Sequence, residues 1–416
     1  MEQNNFVLIL LLILQEQTTA LLAVYKYQLS LYYTRINLRY MTPYIQYEPR
    51  NIPDEFHALY GHREFKLYFR MSFNTFNTLA DELKECYIQY SGQSRVQKMF
   101  KWKLAIYLRF LARAECLQSL KHTFGCCIET VRATMHCFKH LMLYTLRDSL
   151  QIDINDENKF RESSQDIKAL TNGLLDGFCF IIDGTHIPII KLPANIPHQC
   201  FYNRKGGRSI NCQAVINSSL EIVSFDCGYP GSTNDSQMLK ISGFADLMKE
   251  IYYKYNGQYA CLADNGYPLR EHMLTPYTAG EILSDSNSEQ DKVQFNAIFS
   301  SVRQAVERVF GILQRKWHLL VVGCEYNIDD YLMFVQSIML IHNFMILNEE
   351  TYKHTIMNDR WDFEGLPISL EDSITQLNAL RDDPSFEIEN DHLDLALGEQ
   401  RRDLIRINMP LVNEMN

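Results

Sequence analysis

The sequence lacks the cysteine and histidine spacings that hold structural zinc. Its 11 cysteines are scattered over 416 residues without a CxxC pair or a CxxC followed by HxxxH, the usual signatures of zinc-binding modules. An odd number of scattered cysteines also disfavours a disulfide framework, so we expect a reducing compartment. Internal repeats and low-complexity tracts are absent too. The content of 46% hydrophobic and 12% aromatic residues indicates a globular chain of two or three domains.

The first residues lack the features of a signal peptide or a membrane anchor. The apolar run FVLILLLIL, residues 6–14, is preceded by Glu2 and by no Lys or Arg, and no convincing small-residue cleavage site follows it. A run of nine residues is also too short to span a bilayer. We therefore expect residues 1–53 to form a helical extension that packs on the body, without membrane association.

A net positive charge, which is common in proteins that bind nucleic acid, is lacking as well. The formal net charge is −10, and phosphate binding depends on Lys and Arg. The charge is unevenly distributed, because residues 95–147 hold ten Lys or Arg against two Glu, whereas residues 349–399 hold fourteen Asp or Glu against three Lys or Arg. The excess acid lies in a C-terminal tail, residues 346–416, which we expect to be partly ordered at most.

Residues 54–150 carry a helical pattern. In KLAIYLRFLARAECL the apolar residues repeat at spacings of three and four. The stretch CLQSLKHTFGCCIETVRATMHCFKHLM predicts a helix that ends at Gly125 and a second helix after it, which is typical of a helix-turn-helix. Arg132, His136 and Lys139 of the second helix are predicted to lie away from its buried stripe and could contact DNA. An αα-hairpin with a solvated basic face is the alternative.

The pattern changes after a polar stretch, DINDENKFRESSQD, which reads as a linker. GFCFIID, INCQAVIN, EIVSFDCG and YACLAD predict four strands, and helical patterns follow Asp235 and cover residues 293–317. Strands that alternate with helices predict an α/β domain over residues 165–345, with a mixed sheet and flanking helices. An all-helical N-terminal domain precedes it.

Four acids stand at unusual places in this pattern. Asp183 ends an apolar strand-like run, Asp264 follows another, Asp235 begins a helix, and Glu307 borders the buried stripe of a helix. Carboxylates that converge raise one another's pKa, so such a set is stable only with a cation. Oxygen ligands without thiolate or imidazole favour Mg²⁺ or Mn²⁺. Two such ions about 3.5–4 Å apart catalyse phosphoryl transfer.

Each acid also has a simpler explanation. Asp235 could be only an N-cap, Asp183 and Asp264 could be turn residues before glycine, and Glu307 could be only an ion-pair partner of Arg303. The four acids taken together, rather than any one position, favour a metal site.

Several segments resemble the motifs of a known family in both their sequence and their order along the chain. IDGTHIPI, YNRKGGRSINCQAVIN, GYPGSTNDSQML, LADNGYPL, MLTPY and VRQAVERVFGILQRKWHLL are similar to motifs of PIF/Harbinger-type DDE transposases and of their domesticated relatives, the Harbinger transposase-derived nucleases. FHALY, YFRMSFNTFNTL and LAIYLRFLA resemble the family's helical N-terminal region, so the resemblance covers residues 54–345. RRDLIRINM resembles the family's C-terminal ending.

The resemblance implies a ribonuclease-H-like catalytic domain that uses a divalent metal, Mg²⁺ or Mn²⁺, for DNA cleavage and joining. Asp183 matches the family's first acid, Asp264 the second and Glu307 the last. Asp235 matches a position that is also assigned to metal binding, so the middle acid is open between Asp235 and Asp264. We favour Asp264, because it ends a strand that can lie beside the strand of Asp183.

The resemblance also implies partners and a location. It implies DNA as substrate, a Myb-like partner protein, a homo-oligomer that holds two DNA ends, and a nuclear location with or without a cytoplasmic pool. Six cations are candidates for contact with nucleic acid: Arg132, Lys139, Lys205, Arg208, Arg303 and Arg308. His186 could orient Asp183 or meet the substrate, and a core or turn histidine is the alternative.

Two functions follow from these observations. The leading hypothesis is a metal-dependent DNA endonuclease or transposase that hydrolyses and transfers DNA strands by a two-metal mechanism. The rival is a domesticated DNA-binding or adaptor protein that keeps the fold and the acids but no longer transposes.

Overall fold

The computed structural model describes residues 48–91, 99–192, 197–284, 288–358 and 392–407. The chain divides into two compact units, the first made of Met1–Arg109 with Glu115–Leu141 and the second of Phe110–Ala114 with Met142–Asn416. Residues 1–47, which include the predicted apolar helix, lie outside the described residues. The division into four segments drawn from the sequence stays a prediction.

Helices build the described part of the first unit. They are α1 (Pro53–Phe69), α2 (Phe73–Ser91), α3 (Phe100–Arg113), α4 (Leu117–Phe124) and α5 (Ile128–Leu146), and the ends of α3 and α5 belong to the second unit. The predicted stripes are buried, with Leu104 and Leu108 in α3 and Val131 and Met135 in α5 fully enclosed. The helical N-terminal region is therefore confirmed.

The turn between α4 and α5 has the predicted glycine. Gly125 adopts the left-handed conformation at φ 60° and ψ 53°, and a Cβ there would lie 2.0 Å from the carbonyl oxygen of Glu48. Glycine is therefore required both for the backbone conformation and for the close approach of a second segment. Arg50 secures that segment by donating its backbone N–H to Phe124 at 2.9 Å.

One prediction about α5 is wrong. Lys139 was placed on the solvated face, but its side chain is only 3% exposed. The helix buries residues on both sides of the expected stripe, including Thr134 and Leu141, so its apolar surface is wider than one stripe. Arg132 does lie at the surface, where it forms an ion pair with Glu129 at 2.6 Å. Contact of either cation with DNA stays a prediction.

A five-stranded mixed sheet forms the centre of the second unit. The strands are β1 (Phe178–Pro188), β2 (Ser209–Ile216), β3 (Ile222–Pro230), β4 (Ala260–Leu262) and β5 (Met273–Leu274). They lie in the order β3-β2-β1-β4-β5. The first three are antiparallel, while β4 pairs in parallel with both β1 and β5. This is the ribonuclease-H-like α/β arrangement that was predicted. All four expected strands form, and β5 is an addition that the sequence pattern did not indicate.

Helices flank this sheet. They are α6 (Glu157–Leu170), α7 (Asp235–Ser242), α8 (Phe244–Lys254), α9 (Ala279–Leu283), α10 (Glu289–Lys316), α11 (Leu319–Val322), α12 (Ile328–Asn348), α13 (Glu350–Asn358) and α14 (His392–Ile407). The interpretation of residues 153–166 as a linker is wrong, because α6 covers most of them. Its polar sequence conceals a narrow buried stripe that includes Phe160 and Ile167.

Two further elements differ from what their composition suggests. Helix α12 is long and apolar enough to cross a membrane, but most of that apolar stretch is buried inside the protein, as in the core helix of a globular domain. Helix α14 lies within the acidic tail, yet it buries Arg402 at 3% exposure. Residues 359–391 of the tail lie outside the described residues.

Candidate active site

Parallel pairing of β1 with β4 brings two of the predicted acids together. Asp183 lies in the middle of β1, opposite Ala214 of β2, so the expectation that it ends a strand is wrong. Strand β1 continues for five residues beyond it because β2 still pairs with it. Asp264 follows the end of β4, as predicted, in a turn that Tyr267 closes by donating its backbone N–H to the Asp264 carbonyl at 3.0 Å.

Asp235 reaches these acids from the start of α7. It is not the N-cap, because Asn234 caps the helix by accepting the backbone N–H of Gln237 at 2.8 Å. Two glycines make room for its carboxylate: a Cβ on Gly184 would lie 2.5 Å from one oxygen, and a Cβ on Gly266 would lie 2.6 Å from the other. Asp235 is thus seated between the residue after Asp183 and the turn that holds Asp264.

Arg303 links Glu307 to this group. Both residues lie on α10, one turn apart, and the Arg303 guanidinium donates to Glu307 at 2.6 Å and to Asp183 at 2.9 Å. Its Nε lies 3.9 Å from an oxygen of Asp264. The ion pair proposed as a simpler explanation for Glu307 therefore exists, and it joins Glu307 to the other acids. We call Asp183, Asp235, Asp264 and Glu307 the acid cluster.

Burial and crowding leave the acid cluster short of positive charge. Burial raises the pKa of Asp183 to about 7; Arg303 opposes this rise, while Asp264 and Asp235 add to it. The direction is the reverse of that in an ordinary ion pair, so one arginine does not compensate for burial and two neighbouring acids. Burial and then Asp264 raise the pKa of Asp235 as well, against Arg204 and the Asn211 side chain.

The pKa of Arg303 is raised by the neighbouring acids. Burial lowers the pKa of its guanidinium, but Asp264, Asp183 and Glu307 raise it by more. The arginine therefore acts as the counter-ion of the acid cluster in this structure. Asp264 and Glu307 are more open to solvent, with side chains 41% and 51% exposed, whereas Asp183 is 13% exposed. Asp183 is thus the buried centre of the cluster, whereas Asp264 and Glu307 are accessible to solvent.

The donor set suits a hard divalent cation. Carboxylate oxygens are the ligands that Mg²⁺ and Mn²⁺ prefer, and the excess of negative charge is what such an ion would neutralise. Among the described residues, no three His, Cys, Asp or Glu side chains yet converge on one point; instead the Arg303 guanidinium lies between Asp183 and Glu307. The chemistry and the charge of these residues fit a metal ion. In this structure the Arg303 guanidinium lies between two of them, Asp183 and Glu307.

A basic loop, residues 202–208, lies beside the cluster. Asn203 shapes it by accepting the backbone N–H groups of Lys205 and Gly207 at 3.0 Å each, and Gly206 supplies a positive φ of 76°. The loop exposes Arg204, Lys205 and Arg208. The charge of Arg204 lowers the pKa of Asp235 after burial and Asp264 have raised it, which places this arginine close to the acids.

The predicted cations have different surroundings. Arg208 donates to the Tyr202 hydroxyl at 3.0 Å. Arg308 is half-buried on α10, and it lies about 100° round the helix from Glu307, since neighbouring residues differ by that angle. Lys205 lies near His186, whose pKa is lowered first by burial and then by Lys205 and Arg204. His186 itself contacts the Ser209 hydroxyl through Nδ1 at 3.1 Å.

Sequence reasoning missed several residues of the site. Arg204 stands next to Lys205 in the same motif, but the sequence does not indicate which loop cation faces the acids. Asn211 donates its side-chain amide to the Thr233 carbonyl at 2.9 Å and supports the turn before α7. The seat that Gly184 and Gly266 provide for Asp235 could be suspected only from the presence of glycine beside each acid.

The chain is similar in sequence to several known proteins. Residues 182–343 match the DDE superfamily endonuclease family, and this range contains the whole acid cluster. Protein ALP1-like of Arabidopsis thaliana is 23% identical over 347 residues, which cover 78% of this chain and 81% of that protein. The Arabidopsis protein named Antagonist of Like Heterochromatin Protein 1 is 26% identical over 275 residues, covering 62% of this chain and 66% of the relative.

The chain is also similar to a human protein. HARBI1 of Homo sapiens, named as a candidate nuclease, is 22% identical over 172 residues, which cover 41% of this chain and 46% of that protein. No solved structure matches the chain at a comparable level of significance.

Proposed function

We propose that the protein is a divalent-metal-dependent DNA endonuclease, since residues 182–343 match the DDE superfamily endonuclease family and the chain is similar to ALP1-like and HARBI1 proteins. The observation that carries the proposal is the acid cluster, in which Arg303 pairs with three of the four carboxylates and Asp183 has a pKa raised to about 7 by burial, against Arg303, and by Asp264 and Asp235. Such a group gains most from a bound divalent cation. The same cation is what phosphodiester hydrolysis requires in this class of site.

The residues would divide the work as follows. Asp183 would be the central ligand, with Asp264 and Glu307 as accessible ligands on either side and Asp235 as a further ligand or support. A bound metal pair would activate a water or hydroxyl nucleophile and stabilise the leaving oxygen. Arg303, once it is no longer needed as counter-ion, can present its guanidinium fork to a phosphate oxygen. Arg204, Lys205 and Arg208 of the basic loop would hold the DNA backbone.

The order of the two middle acids stays open in this proposal. Asp264 follows the strand beside β1 and is 41% exposed, which suits a ligand that meets a metal and a substrate. Asp235 is more enclosed and is held between two glycines, which suits a rigid ligand or a support. Mn²⁺ affinity of Asp235→Asn and Asp264→Asn, measured separately, distinguishes them, because the direct ligand gives the larger loss.

The wider activity is proposed on the same basis. Strand transfer as well as hydrolysis, a homo-oligomer that holds two DNA ends, a Myb-like DNA-binding partner and a nuclear location are proposed from the resemblance of the sequence motifs to PIF/Harbinger-type transposases. The basic residues of the first unit, Arg132 in particular, would add contacts to DNA. Co-purification of the full chain with a Myb-like protein, and imaging of the tagged chain with and without that partner, test the last two points.

A non-cleaving adaptor is the second candidate. Two observations favour it: Arg303 already binds Asp183 and Glu307, so the acids can persist without metal, and one relative is named for antagonism of a heterochromatin protein. In this case the acid cluster would be a remnant and the protein would act through DNA or chromatin partners.

A plasmid assay separates the two candidates. The purified chain is incubated with supercoiled plasmid and Mg²⁺ or Mn²⁺, with and without a Myb-like partner, beside Asp183→Asn and Asp246→Asn. Asp246 is an exposed acid of α8 outside the cluster, so its variant controls for the loss of one charge. We expect nicking by the wild type and by Asp246→Asn, and a loss of at least about a hundredfold in Asp183→Asn. Equal nicking by Asp183→Asn rejects the catalytic assignment, and no nicking by any protein favours the adaptor.

A further inference from the structure

The phenol of Tyr267 is buried beside the acid cluster without a hydrogen-bond partner. Its side chain is 1% exposed, and among the described residues its hydroxyl oxygen has no partner. The ring itself is well packed, within a core cluster that includes Leu239, Phe244 and Met248. A phenylalanine would fill the same space, and an unpaired buried hydroxyl is unfavourable to folding. The hydroxyl therefore has no evident structural role.

Other buried phenols of the same unit are paired. The hydroxyl of Tyr252 donates to Glu271 at 2.7 Å, that of Tyr259 to Glu157 at 3.2 Å, and that of Tyr277 to Asp403 at 2.6 Å. Tyr331 donates to the carbonyl oxygen of Pro188 at 3.0 Å. The fold thus supplies acceptors to tyrosines elsewhere, so the lack of one at Tyr267 calls for an explanation at this place.

The position of Tyr267 connects it with the acids. Its backbone N–H closes the turn of Asp264, and the preceding Gly266 lies so close to Asp235 that an added Cβ would be 2.6 Å from a carboxylate oxygen. Burial raises the pKa of the phenol well above its usual value, and the charges of Asp235 and Asp183 raise it further. The group therefore stays protonated as an O–H donor close to carboxylates, which are acceptors.

We propose that Tyr267 is a positioning residue for the acid cluster. Its hydroxyl donates a hydrogen bond to a carboxylate of the cluster when a divalent cation rearranges the acids, and the carboxylate of Asp235 is the first candidate for this acceptor. The inference rests on the proposed function, since it requires a bound metal. Partners that hydrogen-bond to ligating carboxylates fix the orientation of the ligand and raise metal affinity. The Tyr267 hydroxyl, which has no partner among the described residues, is then a donor kept for the metal-bound arrangement.

The test compares metal-free stability with metal affinity in the full chain. Tyr267→Phe removes the hydroxyl and keeps the packed ring. We expect its Tm in chelator to equal or exceed that of the wild type, while its Mn²⁺ affinity, measured by titration calorimetry or by the signal of free Mn²⁺ in electron paramagnetic resonance, falls about tenfold. A residue with only a structural role would show the opposite pattern.

Tyr259→Phe is the matched control. Its phenol is buried and paired with Glu157, outside the acid cluster, so this variant is expected to lose stability and to keep the wild-type Mn²⁺ affinity. The inference is overturned if Tyr267→Phe binds Mn²⁺ as tightly as the wild type, or if its Tm in chelator falls by more than about 4 °C. A wild-type chain that binds no Mn²⁺ overturns the proposed function itself, and the inference with it.

Discussion

Two groups of buried charge in the second unit differ in how they are balanced. In helix α14, the terminal nitrogens of Arg402 have acceptors: Arg402 bonds to the carbonyl of Pro276 at 3.1 Å, forms an ion pair with Glu281 and lies 4.0 Å over the ring of Tyr277. In the acid cluster, Asp183, Asp264 and Glu307 share Arg303, and Asp235 adds a fourth carboxylate. Buried charges that are paired are typical of structural anchors, whereas crowded like charges are typical of sites that bind a counter-ion.

The neighbouring arginines of α14 follow the first pattern. Arg401 donates to the Glu271 carbonyl at 2.9 Å and lies 5.0 Å from the ring centre of Phe178. Arg406 lies 3.5 Å from Asp403 and 3.6 Å from Asp291. The helix therefore attaches a segment of the acidic tail to the sheet and to α10, and its cations serve the fold.

The largest effect is expected where the paired group is broken. Arg402→Met keeps much of the aliphatic stem but removes the charge, which leaves Glu281 and the backbone carbonyls of Thr275 and Pro276 without their donor. We expect the free energy of unfolding to fall by about 3 kcal/mol, since removing one partner of a buried pair costs about 3–5 kcal/mol and Glu281 is 34% exposed. Urea denaturation in chelator measures this.

A surface ion pair of the same unit provides the control. Arg147 lies 3.6 Å from Asp148, and both side chains are well exposed, so Arg147→Met should change stability by less than about 1 kcal/mol. If Arg402→Met lowers the free energy of unfolding no more than Arg147→Met does, α14 is not an anchor in solution and the comparison between the two groups fails.

The next effect concerns the acid cluster, which should make the free energy of unfolding depend on pH. In the folded chain the pKa of Asp183 is raised to about 7 by burial, against Arg303, and by Asp264 and Asp235, whereas an ordinary aspartate titrates near 3.8. The folded state therefore holds a proton more tightly than the unfolded state. The stability from this proton is fully present below about pH 4 and is lost as the pH rises through about 7, with a slope of at most about 1.4 kcal/mol per pH unit.

Asp183→Asn removes this dependence. Relative to the wild type, the variant in chelator should gain stability between about pH 4 and about pH 7 and gain little more above that, as measured by urea denaturation at several pH values. Asp246→Asn, at an exposed site, should follow the wild-type curve. Parallel curves for the wild type and Asp183→Asn would show that Arg303 compensates the acid fully, and the contrast with α14 would disappear.

A smaller effect is expected from moving one acid without removing it. Gly184→Ala places a Cβ 2.5 Å from an oxygen of Asp235, so the carboxylate must turn away. We expect Mn²⁺ affinity to fall about tenfold, equivalent to about 1.4 kcal/mol, with little change in metal-free stability, because the displaced group is the end of a side chain.

Gly266→Ala presses on the same carboxylate from the other side and should act alike, whereas Gly280→Ala has no atom closer than 4.0 Å and should leave affinity unchanged. Wild-type affinity in both Gly184→Ala and Gly266→Ala would mean that Asp235 takes no part in holding the metal.

Local pattern predicted the parts of this unit that are set by near neighbours in sequence. The four strands, the start of α7 at Asp235 and the position of Asp264 after β4 all follow from short apolar runs and turn residues. These features depend on the period of the side chains and on glycine, proline and cap residues, which a single sequence displays directly.

Features that depend on distant partners were missed. Strand β1 passes through Asp183 because β2 continues to pair with it, and α6 forms in a polar stretch because Phe160 and Ile167 find a core to enter. The paired Arg402 in an acidic tail and the unpaired Tyr267 hydroxyl likewise depend on contacts made more than 100 residues away or not made at all. Such contacts carry no local signal.

The smallest predicted effect tests whether α10 serves the acid cluster only through its two charged residues. Gly311 lies in the interior of α10, two turns after Arg303, and the nearest atom to an added Cβ is 4.0 Å away in Arg315. Gly311→Ala should raise the free energy of unfolding by about 0.5–1 kcal/mol, because alanine loses less backbone entropy in a helix, while Mn²⁺ affinity stays at the wild-type value. Urea denaturation and calorimetric titration measure the two quantities. A loss of affinity in this more stable protein would show that metal binding needs α10 to bend or shift, and the acid cluster would then depend on helix motion as well as on charge.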